Sequence, residues 1–175
     1  FAMALQRNGI KVQQKVALIL GAGGVSYAVI FALIQNNISK IIIKNRTKSK
    51  IDLIIKQFSS KYKNIEFVMY DETNHKSEDY DLIINCTSVG MVSNLKLSPF
   101  PSGFIKSNQI VIDTIYNPVE TQLLKDAKLI GAKTLNGLDM FIYQGLASLD
   151  IWFGKNITEK IDYEILKIKL MKNLC

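Results

Sequence analysis

The stretch VALILGAGGVSYAVIFALI, Val16 to Ile34, decides how this chain is read. Five apolar residues form a run that suits a buried strand. Glycines follow at Gly21, Gly23 and Gly24, and the chain then continues with residues that suit a helix. Gly21, Gly23 and Ser26 take the three positions of a GxGxx(G/A) turn, and each position has a physical task. The first lets the chain turn tightly, the second lets backbone approach a pyrophosphate, and a small third residue lets helix pack close on strand. Helix N-terminal N–H groups then face the phosphates. A glycine motif placed after a strand and opening a helix predicts a dinucleotide site, with Gly21, Ala22, Gly23, Gly24 and Val25 in contact with the cofactor.

Working outward, short apolar runs alternate with longer amphipathic ones. The periodicity predicts strands over Lys15–Leu20, Lys40–Lys44, Ile65–Met69, Leu82–Asn85, Ile110–Ile115 and Lys133–Leu135. Helices are predicted over Gly24–Asn36, Ser49–Tyr62 and Thr121–Ile130. A longer one follows Gly137 with Met140, Ile142, Tyr143, Leu146, Leu149 and Trp152 buried, and a last one is capped by Thr158 and ends near Met171. Continuous runs such as VALIL, LIIN and IVID suit strands covered on both faces. The expectation is an α/β, Rossmann-type doubly wound parallel sheet of about six strands with helices on both faces. The segment Thr87 to Asn108 is longer than a usual βα connection, which points to a functional or mobile loop.

The second strand ends in IIIKNRTKSK. Where an NAD site carries an acid to bind the adenosine ribose, this chain has Asn45 and then Arg46. Asn45 removes the charge that would repel a 2′-phosphate, Arg46 can hold one bidentately, Thr47 adds a hydroxyl, and Lys48 and Lys50 raise the local potential. The predicted cofactor is NADP.

Composition narrows the partners. The chain has 175 residues, 48% of them apolar, and this suits one domain with a sizeable core. Its net charge of +7 is spread along the sequence without a basic block, so a solvated surface and anionic small molecules are favoured over nucleic acid. Cys86 and Cys175 are far apart and stand in no metal-ligand spacing, so no disulfide, no metal site and a reducing, cytoplasmic setting are expected. Apolar runs fall short of the roughly 18 residues of a membrane helix. The chain opens on Phe1 without Met, and Phe1, Ala4 and Leu5 at helical spacing look like the tail of an amphipathic helix, so it is read as a piece of a longer protein. His75, in a charged connection, is not expected to be catalytic.

Five segments in order, GAGGVSYAV, NRTKSK, NCTSVGM, DTIYNP and NGLDMFIYQG, resemble the C-terminal, NADP-binding half of shikimate dehydrogenases over nearly the whole chain. The resemblance implies reduction of 3-dehydroshikimate to shikimate with NADPH, in aromatic amino-acid biosynthesis. It assigns Gly21 to Val25 to the pyrophosphate and Asn45 to Lys50 to the 2′-phosphate. Thr87 falls along the cofactor, Thr114 and Gly137 at its nicotinamide end, and Tyr116 and Gln144 toward the shikimate carboxylate or hydroxyls. Tyr116 has a plainer alternative, packing over Pro118, and Met140 is better read as core than as ligand. Gln144, on a helix lined by Phe141, Leu146 and Leu149, would be costly to bury without a polar partner.

The resemblance also places the catalytic Lys and Asp in a substrate domain preceding Phe1, so no catalytic residue is assigned within this chain. Helices in 1–12 and 137–175 would connect to that missing domain, leaving Phe1, Leu5, Ile151 and Trp152 as an apolar patch. A homodimer is a further expected partner. Two alternatives stay open on sequence: a stand-alone NADP-binding regulatory module, and the nucleotide domain of a glutamyl-tRNA reductase-like enzyme, which should carry a long dimerising helical region after this fold.

Overall fold

A computed structural model describes residues 1–73, 79–154 and 157–174. His75 and Cys175 lie outside the described residues. In chain order the elements are α1 (Ala2–Arg7), β1 (Val16–Leu20), α2 (Gly24–Gln35), β2 (Lys40–Lys44), α3 (Lys48–Ser59), β3 (Glu66–Met69), β4 (Leu82–Asn85), β5 (Ile110–Asp113), α4 (Gln122–Ile130), β6 (Lys133–Leu135), α5 (Leu138–Phe153) and α6 (Tyr163–Leu174). The six strands are all parallel, in the order β3-β2-β1-β4-β5-β6. Strand order reverses between β1 and β4, and an open parallel sheet has its binding crevice at the carboxyl ends of the strands at such a switch point.

The central strands β1, β2, β4 and β5 are buried on both faces, and the alternation of their side chains splits the core in two. Ala17, Ile19, Ile41, Ile43, Leu82 and Ile84 face the side covered by α2 and α3, with Val29, Ile30, Leu33, Ile51, Ile54 and Phe58 packed against them. Leu18, Leu20, Ile42, Ile83 and Val111 face the other side, under α4 and the long β4–β5 connection. That connection is held down by Phe100 and Ile105, both buried, and carries two short 3-10 turns, Val92–Asn94 and Ser102–Phe104. Burying an Ile or Leu completely contributes about 1.5–3 kcal/mol, so these two apolar layers dominate the fold's stability. No described helix is long and apolar enough to cross a membrane.

Several boundaries differ from the sequence reading. β5 stops at Asp113 instead of Ile115, because the Asp113 carboxylate accepts a hydrogen bond from Ile115 N (3.0 Å) and turns the chain. The last helix begins at Tyr163. Thr158 sits in a 3-10 turn and donates its hydroxyl to Asp150 (2.6 Å), while Asp162 accepts from Ile165 N (3.0 Å) at the start of α6. On α5 only Leu138, Asp139 and Ile142 are buried. Met140, Tyr143, Leu146 and Leu149 are half-buried, and Trp152, in the last turn of α5, is 72% exposed. Of the expected apolar patch, Ile151 and Trp152 are exposed together with Phe153, Phe1 is half-buried, and Leu5 is buried in the core.

A polar clamp gathers the terminal helices. Asp139, 1% exposed, accepts from Asn8 Nδ2 (2.7 Å), Tyr163 Oη (2.7 Å) and Lys167 Nζ (2.5 Å), joining α6 and the end of α1 to α5. Arg7 lies 3.8 Å over the Tyr163 ring and pairs with Glu164. Burial alone would raise the Asp139 carboxyl, but the hydrogen bonds from Lys167, Tyr163 and Asn8 outweigh it and hold the carboxyl below its ordinary value. Its stabilising contribution is therefore present above the unfolded value of about 3.9 and lost as pH falls through the lower folded value. Asp139→Asn should reduce unfolding free energy at pH 7 by about 1–3 kcal/mol in urea titrations, the deficit shrinking toward pH 3; an equal deficit at both pH values would exclude the charged clamp.

Candidate functional site

The glycine turn caps the carboxyl end of β1. Gly21 has a φ of +103°, and a Cβ there would lie 2.9 Å from Thr87 Cγ2 and 3.0 Å from the Cys86 carbonyl oxygen. Only glycine fits both the conformation and the space. Gly21 N donates to the Lys44 carbonyl (2.7 Å) and Ala22 N to Asn45 Oδ1 (3.2 Å), so the end of β2 holds the turn in place. Ser26, fully buried, donates its hydroxyl to the Gly23 carbonyl (2.5 Å) where α2 meets the sheet. At Gly23 and Gly24 a Cβ would meet nothing within 4 Å, and both residues are exposed. Their missing side chains leave open space in front of the first α2 N–H groups, which have no acceptor within the helix.

A trough runs from this turn along the carboxyl edge of the sheet. Its wide part, ≈ 670 Å³, is lined by Gly21, Ala22 and Gly23 together with Asn45, Arg46, Lys50 and Thr87. Thr87 and Ser88 also line the next part, with Val25, Thr114 and Tyr116. Val25, Thr114 and Tyr116 then lead to a third part bordered by Gly137, Met140, Phe141 and Gln144. Residues 116 positions apart in sequence, from Gly21 to Gly137, thus border one continuous groove. Of the sequence-predicted site residues, Gly24 and Thr47 do not line it: Gly24 opens α2 and Thr47 precedes α3, both exposed beside the groove.

Tyr116 stacks on Phe141, centroids 4.1 Å apart and 18° between planes. Gln144 is exposed, so it carries no burial cost; its amide nitrogen reaches only Ser148 Oγ, at 3.5 Å. Gly137 approaches the Thr114 carbonyl so closely that a Cβ would stand 2.1 Å from its oxygen, and Gly137 N donates to the Ile115 carbonyl (2.9 Å). Met140 is half-buried and borders the groove, where the sequence suggested core.

Sequence reasoning missed the group that holds this edge together. Asp113, fully buried, accepts from Asn85 Nδ2 (3.0 Å), Ile115 N (3.0 Å) and Thr121 Oγ1 (2.7 Å). Asn85 Oδ1 in turn accepts from Thr87 N (2.9 Å) and Thr87 Oγ1 (2.7 Å), and Thr87 Oγ1 accepts from Val89 N (3.1 Å). The Thr87 hydroxyl is thus committed to the loop. Burial pushes the Asp113 carboxyl up, against its hydrogen bonds with Ile115, Thr121 and Asn85. Burial also pushes the Cys86 thiol up, with the Asp113 charge adding to it, which disfavours the thiolate form. The signal available in the sequence was an Asp closing an otherwise apolar run, IVID, where a buried carboxylate requires partners.

The two kinds of glycine make separate predictions. Gly21→Ala should lower unfolding free energy by about 1–3 kcal/mol. Gly23→Ala, whose φ of −95° suits any residue, should leave stability unchanged or slightly higher; equal losses in urea titrations of both variants would contradict the geometry.

The family model for shikimate / quinate 5-dehydrogenase matches residues 2–98. A shikimate dehydrogenase (NADP(+)) from Methanococcus maripaludis is 41% identical over 150 residues, covering 85% of this chain and 52% of that protein. Among solved structures, a shikimate dehydrogenase in complex with NADP+ superposes with a TM-score of 0.81 at 34% identity, covering 99% of this chain and 60% of the other. The enzyme from Thermus thermophilus, in complex with NADP(H) and shikimate, gives 0.79 at 26% identity, covering 99% and 60%. The chain therefore spans between half and three fifths of the length of these relatives. Six parallel strands, a glycine turn at the switch point and a match over more than half of the sequence establish the conclusion: the chain belongs to the shikimate / quinate 5-dehydrogenase family.

Proposed function

We propose that this chain is the NADP-binding half of a shikimate dehydrogenase, the enzyme that reduces 3-dehydroshikimate to shikimate. The observation that carries the reading is the groove: cationic at the end of β2, glycine-lined at the start of α2, and apolar with an exposed amide at its far end. The open space at Gly23 and Gly24 suits a pyrophosphate against the α2 N-terminus. In this reading Gly21 to Val25 hold the pyrophosphate through backbone N–H groups, and Asn45, Arg46, Thr47 and Lys50 hold the 2′-phosphate. Thr87 packs its methyl on the glycine turn, Thr114 and Gly137 shape the nicotinamide end, and Tyr116 and Gln144 present a phenol and an amide to the substrate. The cofactor supplies the hydride that reduces the keto group.

Reduction of a ketone also needs a proton donor within hydrogen-bond reach. Around Val25, Thr114, Tyr116, Gly137, Met140, Phe141 and Gln144 the described lining residues carry no carboxyl, imidazole or amine, and the phenol among them, Tyr116, is assigned to binding the substrate. We assign the donor to a Lys and Asp of a substrate domain that precedes this chain in the whole enzyme. That domain also accounts for Ile151, Trp152 and Phe153, whose exposed side chains would be covered where the halves meet.

Two measurements test the reading. Arg46→Ala should weaken NADPH binding about ten- to a hundredfold, the equivalent of one charge-assisted hydrogen bond, while NADH changes little; equal weakening of both would refute the phosphate assignment. The purified chain should bind NADPH in a fluorescence titration and show no turnover of shikimate. Steady shikimate oxidation by it would refute the assignment of the proton donor.

A further inference from the structure

Among the described residues, Lys44, Arg46 and Lys50 line the wide end of the groove together with an acid, Glu72. A carboxylate is the wrong charge beside a pyrophosphate and a 2′-phosphate, and no role described so far uses it. Lys44 explains how it is tolerated. Its Nζ lies 2.6 Å from Glu72 Oε1 and 4.5 Å from the centroid of the Tyr70 ring, so the ammonium is held between an acid and an aromatic face. The two side chains are 32% and 76% exposed, and pairs as exposed as this contribute little to stability.

What the pair offers instead is a fixed donor beside a fixed acceptor at the mouth of the groove. Val89 and Pro99, which line the same space, supply apolar walls for a flat ring. Lys44 immediately precedes Asn45 and Arg46, the residues assigned to the 2′-phosphate, and the base is carried by the same ribose as that phosphate. Adenine presents an exocyclic amino donor next to a ring-nitrogen acceptor. A purine with a carbonyl at that carbon reverses the first of these and places acceptor against acceptor.

We propose that Glu72 and Lys44 read the adenine edge of the dinucleotide, Glu72 accepting from the exocyclic amino group and Lys44 donating to the neighbouring ring nitrogen. The proposal rests on the cofactor reading above and adds base selectivity to it. On binding, Glu72 and Lys44 exchange their mutual salt bridge for base contacts, so the carboxylate stays paired in both states.

The test compares NADPH with reduced nicotinamide hypoxanthine dinucleotide phosphate, which differs in carrying a carbonyl in place of the amino group. In fluorescence titrations the chain should bind NADPH about five- to tenfold more tightly, a single charged hydrogen bond discounted for exposure. Glu72→Ala should bring the two within about twofold, and Glu72→Gln, whose amide both donates and accepts, should do the same. Arg46→Ala should weaken both ligands alike and preserve their ratio. Equal binding of both ligands by the unaltered chain, or a ratio that survives Glu72→Ala, would overturn the proposal while leaving the NADP reading intact. Binding of neither ligand by the unaltered chain would sink both readings together.

Discussion

The carboxylate of Asp113 is the constraint on which the carboxyl edge of the sheet depends. It is fully buried at the end of β5 and reaches three elements at once: Asn85 at the end of β4, its own chain at Ile115, and Thr121 at the start of α4. Through Asn85 it fixes the Thr87 loop, and through that loop the methyl against which Gly21 turns. Through Ile115 it ends the strand and sends the backbone toward Gly137, whose N–H takes the Ile115 carbonyl. One buried anion thereby sets the position of both ends of the groove. Because burial raises its folded pKa, stability falls as pH rises from about 3.9 through the folded value. This carboxylate shapes the edge at a cost in stability near neutrality.

Asp139 is the opposite case. Its hydrogen bonds outweigh its burial, so it stabilises the ionised state and locks α6 and the end of α1 onto α5. The helix it anchors carries Met140, Phe141 and Gln144, which border the far end of the groove. The clamped terminal helices therefore hold these groove-bordering residues on one platform. Glycine serves the same end on a smaller scale: at Gly137 the approach to the Thr114 carbonyl leaves no room for a side chain, and strand and helix meet backbone to backbone.

The electrostatics of the groove are graded along its length. Among the described residues, the β2 end gathers Lys44, Arg46 and Lys50 with Glu72, the α2 end offers the positive end of a helix, and the far end is nearly uncharged. A dinucleotide with phosphate at one end and a neutral reactive ring at the other matches that gradient. The net charge of +7 is consistent with this, but it is the local concentration of cations at one strand end that matters for an anionic ligand.

Much of this was legible in the sequence because it rests on local rules. Apolar runs covered on both faces announce parallel strands, and the glycine turn announces a groove that Asn45 and Arg46 help to line, since each needs only residues a few positions apart. What the sequence alone left open or misplaced was decided by contacts between distant segments. Asp113 closes β5 early because Asn85 and Thr121 arrive beside it; Trp152 is exposed because no described element packs over the last turn of α5 at that position; Asp162 rather than Thr158 starts the last helix because Thr158 is drawn to Asp150. The Lys44–Glu72 pair likewise joins the end of β2 to a residue beyond β3. Periodicity determines which face of an element is buried, but only the packed chain brings residues 28 positions apart within hydrogen-bonding distance.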